Sequence, residues 1–540
     1  MQHRLISALE KVFPDGRGAS FSRSSLTALR GESAFFQWAV QNDTDCLYAC
    51  PTLDAPFQAT LRLVKSVPVR CARTPEYSDE NYISWSPGLY PDVLVPLTGD
   101  ATLLPFGQWQ AFYGEIVVPE GARPGDYTAT LTLRDVEGAV LAQDALTLTV
   151  LDAVLPPQRL MHTEWFHADC LADYYGVPAF SEEHWRIVEA FVRAAVRRGC
   201  NMLLTPHLTP ALDTRVGGER TTVQLVDVYA QEGGYRFGFE KLDRWVAMAE
   251  RCGMKYLEMS HLFTQWGAEA APKVMVWENG APVRRFGWDT PAVGGAYTDF
   301  LRAYLPALTA RLKALGVADR TYFHISDEPH AAQVEGYRAA KQSVADCLAG
   351  FPIMDALSDY ELTKACGIAC PIVAEDALEP FLANGVSPLW GYYCCCPSRE
   401  MPNRFLQMPL SRMRAMGALW WRYGLQGFLH WGYNFYNAVH SVAHINPFLD
   451  TEAGGGFPAG DSFLVYPGTG GEPWESLRLT TLHQALQDLR ALTLLEEKIG
   501  RKAALALLEQ DGALTMRDYP RDSRAMERLR ERVNQALANG

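Results

Sequence analysis

A pair of prolines, Pro156-Pro157, separates two stretches of this chain that follow different hydrophobic periods, and that switch limits the architectures open to it. Before the pair, apolar side chains recur at every second residue. Phe36, Trp38 and Val40 do so, as do Tyr127, Ala129, Leu131 and Leu133 after the turn Arg123-Pro124-Gly125-Asp126, and Leu146, Leu148 and Val150. Side chains alternate between the faces of a strand, so this period with Pro/Gly turns between segments predicts an N-terminal antiparallel β-sandwich over residues 1–153. Proline removes a ladder donor and breaks a helix interior, so the prolines read as a linker.

Beyond it, short apolar strands alternate with amphipathic helices. Strands are predicted at His162 to His167, Met202 to His207, Tyr256 to Leu262 and Tyr322 to Asp327, with further candidates at Ile353 to Leu357, Ile368 to Val373, Leu389 to Cys394 and Gly427 to Tyr433. Ser181 can cap a helix carrying Trp185, Val188, Phe191, Val192 and Ala195 on one face. Helices are also expected at Phe239 to Cys252, at Thr298 to Leu315 with Pro306 as a kink or as its start, and at Leu479 to Ile499. Repeated strand–helix units in this number predict an α/β domain, a (β/α)8-type TIM barrel over residues 158–500, followed by a helical C-terminal extension over 501–540. A doubly wound sheet is the rival, but it favours a Gly-rich turn after its first strand, and His167-Ala168-Asp169-Cys170 is not one.

In such barrels the chemistry gathers at the C-terminal ends of the strands. The sharpest pattern there is His324-Ile325-Ser326-Asp327-Glu328-Pro329, an acidic doublet closing an apolar strand. Cleaving a glycosidic bond needs an acid for the leaving oxygen and a group that stabilises positive charge at the anomeric carbon. Glu328 is the candidate acid/base. Both carboxylates can face one pocket only if the backbone leaves regular strand geometry at Asp327, because neighbours on a strand point opposite ways. Other strand ends supply candidate sugar contacts: Trp165, His167, Asp169, His207, His324, Trp390, Tyr392, Tyr393, Trp431, Tyr433 and Asn434. Only one of Tyr392 and Tyr393 can face inward on a regular strand.

A second carboxylate on another strand would make a protein nucleophile. The seventh strand ends Trp390-Gly391-Tyr392-Tyr393-Cys394, with no acid until Glu400, which favours attack by the sugar's own 2-acetamido oxygen. Asp355 or Glu258 as nucleophile remains an alternative, as does a non-catalytic glycan-binding protein. Metal chemistry is a further rival, because His162, His167, His207, His261 and His324 all lie near strand ends. The first strand offers His167-Ala168-Asp169 rather than a His-x-His pair, and the fifth and sixth offer no His, so neither metal nor cofactor is expected.

The formal charge of −13 disfavours nucleic acid and anionic membranes as partners. Aromatic residues at 11% suit a protein that packs rings against pyranose faces. The start MQHRLISALEKVFPDG lacks the apolar run of a secretory signal, and the 12 Cys show no CxxC pair, only the run Cys394-Cys395-Cys396. These features predict reduced thiols and a cytoplasmic location, with a small glycan or glycoconjugate as partner. Oligomeric state is left open.

The Asp327-Glu328-Pro329 strand end resembles glycoside hydrolase family 123 and its relatives, the domain of unknown function 4091 proteins. Arg30-Gly31-Glu32 and Pro124-Gly125-Asp126-Tyr127 in the sandwich, and Gly427-Phe428-Leu429-His430-Trp431-Gly432-Tyr433-Asn434 late in the chain, fit as well. The resemblance implies a retaining, metal-free, exo-acting β-N-acetylgalactosaminidase, with Asp327 orienting the acetamide and Glu328 as acid/base.

Overall fold

A computed structural model describes residues 1–19, 22–70, 78–97, 99 and 101–539. The N-terminal part holds two five-stranded sheets. The first orders its strands Gln2–Ser7, Ser33–Gln41, Trp109–Val117, Ala59–Val69, Gly88–Pro96, every pair antiparallel. The second orders Ser25–Arg30, Val140–Val154, Gly125–Asp135, Leu47–Asp54, Thr102–Leu104. Here the expected antiparallel pattern is broken once, because Ser25–Arg30 pairs in parallel with Val140–Val154. The alternating residues Phe36, Trp38, Val40, Leu131, Leu146 and Leu148 meet between the sheets. The intervening Phe35 and Ala39 belong to the core shared with the barrel, so this strand is buried on both faces.

The barrel strands are β1 Met161–Glu164, β2 Met202–Thr205, β3 Tyr256–Met259, β4 Thr321–Phe323, β5 Met354–Ala356, β6 Cys370–Ala374, β7 Trp390–Tyr392 and β8 Gly427–His430. They form one eight-stranded parallel sheet, with β8 beside β1. A lone bridge between Phe323 and Ile353 joins β4 to the start of β5 and nearly closes the ring. Every strand lies where the hydrophobic pattern predicts one, but most end before their predicted C-termini. The sequence stays apolar or aromatic past the ladder because the residues beyond it turn into the mouth of the barrel.

Helix ends follow capping chemistry. Ser181 Oγ accepts the His184 amide at the start of Glu182–Arg197, and Ser476 Oγ accepts the Leu479 amide ahead of Leu477–Ile499. Pro306 is not a helix start: it sits inside Gly295–Ala314. Two hairpins escape the helical and strand patterns read above. Asp227–Gln231 with Gly234–Gly238, and Val274–Glu278 with Ala281–Phe286, join as a four-stranded sheet hung on the loops after β2 and β3. Their two-residue turns, Glu232-Gly233 and Asn279-Gly280, were the available signal.

The C-terminal helices Arg501–Leu508 and Ser523–Asn539 do more than extend the barrel. Buried Arg530 donates to Glu32 in the sandwich, 2.8 Å, and to Asp488 in the helix Leu477–Ile499, 2.6 Å. Arg198 forms a second buried clasp, binding Glu115 of the sandwich and Glu475 at 2.7 Å each. Among the described residues, no helix is long and apolar enough to cross a membrane.

The barrel interior is filled by Met202, Leu204, Met354, Ile372, Leu429 and Trp390. Trp390 and Gly427 face each other in register, and a Cβ on Gly427 would lie 2.0 Å from the indole. Gly427→Ala therefore overpacks the lumen, and a loss of about 1–3 kcal/mol is expected in urea unfolding. A variant as stable as the parent would show that the indole has room to move.

Candidate active site

Past Phe323 the chain leaves the ladder but stays pinned. The Leu262, Phe263 and Trp266 amides donate to the carbonyls of His324, Ile325 and Asp327 at 3.2, 3.1 and 2.9 Å. Ser326 Oγ donates to the Thr264 carbonyl, 2.8 Å. Glu328 then takes φ +40°, a left-handed conformation costly for a side chain with a Cβ. That departure from strand geometry lets consecutive carboxylates, Asp327 and Glu328, line one cavity.

The cavity has a volume of about 150 Å³ and is walled by Trp165, Trp266, Trp431 and Phe457, with Tyr392, Asp213 and Gln265 among its polar groups. Such aromatic walls with a few convergent polar atoms suit a sugar ring. Tyr392 donates to Glu328 Oε1 at 2.6 Å. Burial, followed by the Glu328 charge, raises Asp327 well above the usual carboxylate range. The neighbouring Glu328 charge thus works against ionisation of Asp327.

Beneath the cavity lies a charged layer. Glu258, fully buried, accepts from Thr163 Oγ1, Trp165 Nε1 and His324 Nε2, each at 2.6 Å. His324 Nδ1 meets Asp355 at 2.9 Å, and Asp355 also accepts from the Tyr337 hydroxyl at 2.5 Å. Burial disfavours charge on His324, but the hydrogen bonds and charges of Asp355 and Glu258 outweigh it, and its pKa rises to about 10. His324 is thus an imidazolium clasped by two carboxylates. It holds Trp165 in place through their shared partner Glu258. His261 stacks on it at 4.2 Å and is kept neutral by burial and by the His324 charge. One ligand atom each from His261, His324 and Asp355 lie within 4.8 Å of one another, a spacing a metal can use. Both His324 nitrogens also lie within hydrogen-bond distance of carboxylates, Nδ1 of Asp355 and Nε2 of Glu258.

Of the residues read from the sequence as sugar contacts, Trp165, Tyr392 and Trp431 reach the cavity with the acidic pair. The others sit in internal networks. Asp169 is held by Arg220 at 2.7 and 2.8 Å, and Arg220 also donates to His167 Nδ1 at 3.0 Å. His167 binds the Trp431 carbonyl with its other nitrogen, 2.9 Å, and burial lowers its pKa to about 3. Asn434 exchanges hydrogen bonds with the His167 backbone at 2.9 and 3.0 Å, tying the loop after β8 to that after β1. His207 bridges the Tyr304 hydroxyl and the Ser260 carbonyl, 2.9 Å each. Trp390 packs in the lumen, Tyr433 donates to the Phe191 carbonyl, and Tyr393 faces away from the cavity onto Phe428 and His430. Tyr392 is the inward member of its pair, as alternation requires.

The cavity also contains groups the sequence did not mark. Asp213 lies on the loop after β2 at φ +40°, accepts the His440 amide at 2.9 Å, and is raised by burial. Gln265, Phe457, Cys394 and Cys395 are among the others, with the apolar Leu212 and Ala356. Apart from Ala356 on β5, they sit on loops that carry no hydrophobic period, and only the run of cysteines was visible as a pattern.

A barrel whose C-terminal mouth brings a carboxylate pair between aromatic walls is built for glycoside hydrolysis. The comparisons agree. The family described as "Glycoside hydrolase 123, catalytic domain" matches residues 165–495, more than half of the chain. The protein belongs to glycoside hydrolase family 123, and is a glycoside hydrolase. A solved family 123 glycoside hydrolase from Clostridium perfringens, described for glycolipid glycan hydrolysis, superposes with TM-score 0.74 at 13% identity, covering 100% of this chain and 97% of its own. The endo-β-1,4-mannanase of Thermotoga petrophila aligns over 62% of this chain and 77% of its own at 13% identity with TM-score 0.34. No curated protein compared with the chain matches it.

Proposed function

We propose that the protein removes terminal β-linked N-acetylhexosamine, foremost N-acetylgalactosamine, from a small glycan or glycoconjugate, retaining the anomeric configuration by substrate assistance. Glu328 protonates the leaving oxygen and later deprotonates water. Asp327 orients the 2-acetamido group and stabilises the oxazolinium formed when its oxygen attacks the anomeric carbon. The observation that carries this reading is the pair of adjacent carboxylates sharing one cavity, while the seventh strand supplies a tyrosine to that cavity instead of an acid. Trp165 and Trp431 offer ring faces to the sugar, and Tyr392 positions Glu328.

Glu258 and Asp355 are poor nucleophiles in this arrangement, because Glu258 accepts three hydrogen bonds and Asp355 is tied to His324 and Tyr337. Asp213 is the one further carboxylate among the described cavity residues, and it favours a second reading with a protein nucleophile.

A panel of nitrophenyl β-glycosides separates these readings. Release is expected from the N-acetylgalactosaminide, with weaker release from the N-acetylglucosaminide and none from the galactoside or glucoside. Turnover of simple glucosides would rule out assistance. Failure to cleave the N-acetylated members would overturn the N-acetylhexosaminidase reading.

A further inference from the structure

The run Cys394-Cys395-Cys396 follows β7 and plays no part in the chemistry above. The chain turns tightly here: the Cys394 amide donates to the Cys396 carbonyl at 3.0 Å. Asn403 Nδ2 fastens the turn by donating to the Cys394 and Pro397 carbonyls at 2.9 and 2.8 Å. The three sulfurs are gathered as a result. Cys395 Sγ lies 3.9 Å from that of Cys394 and 3.8 Å from that of Cys396. Cys394 and Cys395 form part of the cavity wall, beside Tyr392 and Glu328, and Cys396 is exposed at the surface.

Those separations have a specific chemical meaning. Two thiolates bound to one tetrahedral ion at about 2.3 Å each stand about 3.8 Å apart. Thiolate ligands select soft cations, while the oxygen-rich surroundings of a sugar site do not. We propose that Cys394 and Cys395, which both line the cavity, are a binding site for one thiophilic cation of the zinc or cadmium class, and that the bound ion closes the catalytic cavity. Two S–H protons pass to solvent as two metal–sulfur bonds form, so no oxidant or reductant is needed. Water completes the coordination. The Asn403 clasp fixes the turn beforehand, which lowers the ordering cost of chelation.

Cadmium ion alone is the probe. The reduced full-length protein is titrated anaerobically while the ultraviolet charge-transfer band of cadmium thiolate is followed. One equivalent is expected to bind tightly with this band. Cys395→Ser should weaken binding at least tenfold, while Cys46→Ser and Cys252→Ser titrate like the parent. An unchanged titration in Cys395→Ser, or binding without the band, would overturn the site. Alkylation with mass mapping is a second measurement that needs no variant. Bound cadmium should protect Cys394 and Cys395 from a maleimide, and equal labelling with and without the metal would also overturn it. Full occupancy with undiminished glycoside turnover would overturn the claim that the ion closes the cavity. The binding arms do not depend on which sugar the enzyme accepts.

Discussion

Glu328→Gln is expected to lower kcat/KM on a nitrophenyl N-acetyl-β-galactosaminide by roughly 10²–10⁴-fold, the usual range for losing a general acid/base. Asp327→Asn should cost a comparable factor for a different reason. An amide in that place cannot carry the negative charge that stabilises an oxazolinium, and preorganised charge of this kind is worth roughly 10²–10³-fold. The two variants separate in the presence of azide. With a leaving group that needs no protonation, azide can replace the water that Glu328 would activate, so some rescue of Glu328→Gln fits its role. Rescue of Asp327→Asn with accumulation of an azide adduct would instead make Asp327 a direct nucleophile. Both variants should melt like the parent. A Glu328→Gln protein with full activity would end the assignment.

The second large effect is on stability and its pH dependence. His324 sits between Glu258 and Asp355, and removing it leaves two buried carboxylates without their shared cation. Breaking a buried charge cluster costs about 3–5 kcal/mol, so His324→Phe should show a loss of that order in urea unfolding. The sign of the pH effect follows from linkage. The folded-state pKa of His324 is about 10, above the 6.5 of an ordinary histidine. Between those values the folded state binds more protons than the unfolded chain. The stabilisation is therefore complete below about pH 6.5 and is lost as pH rises through 10. The parent's unfolding midpoint should fall over that interval, and His324→Asn should fall less steeply. Identical slopes would mean that the ring is neutral in the folded protein. Activity should suffer too, since Trp165 is held by the same Glu258 oxygen that His324 binds.

How much of this was legible in advance differs by element. All eight barrel strands and the acidic doublet could be located from apolar runs, because a strand buried on both faces leaves a continuous local signature. The doublet's need for a break in strand geometry was also readable, and Glu328 at φ +40° supplies it. The two hairpins after β2 and β3 were missed: Val274 and Val276 alternate inward, but the paired strand Ala281–Phe286 is exposed up to Phe286, so the buried stripe is too short to stand out. The histidines were the most misleading. His167 and His207 stand at strand ends like catalytic groups, yet each spends both ring nitrogens on structural partners.

By itself, then, the sequence determined the two-part architecture, the number of barrel strands and the pair of carboxylates at the fourth strand end. These rest on local quantities, namely hydrophobic period, proline placement and residue chemistry. The tertiary structure alone decided which strand-end side chains share the cavity, that Asp213 joins them from an unpatterned loop, and that His324 carries a charge beneath them. Those outcomes depend on where each ladder ends and on partners far along the chain. Glu258 and Asp355 acquire their meaning only when barrel closure sets both against one imidazole.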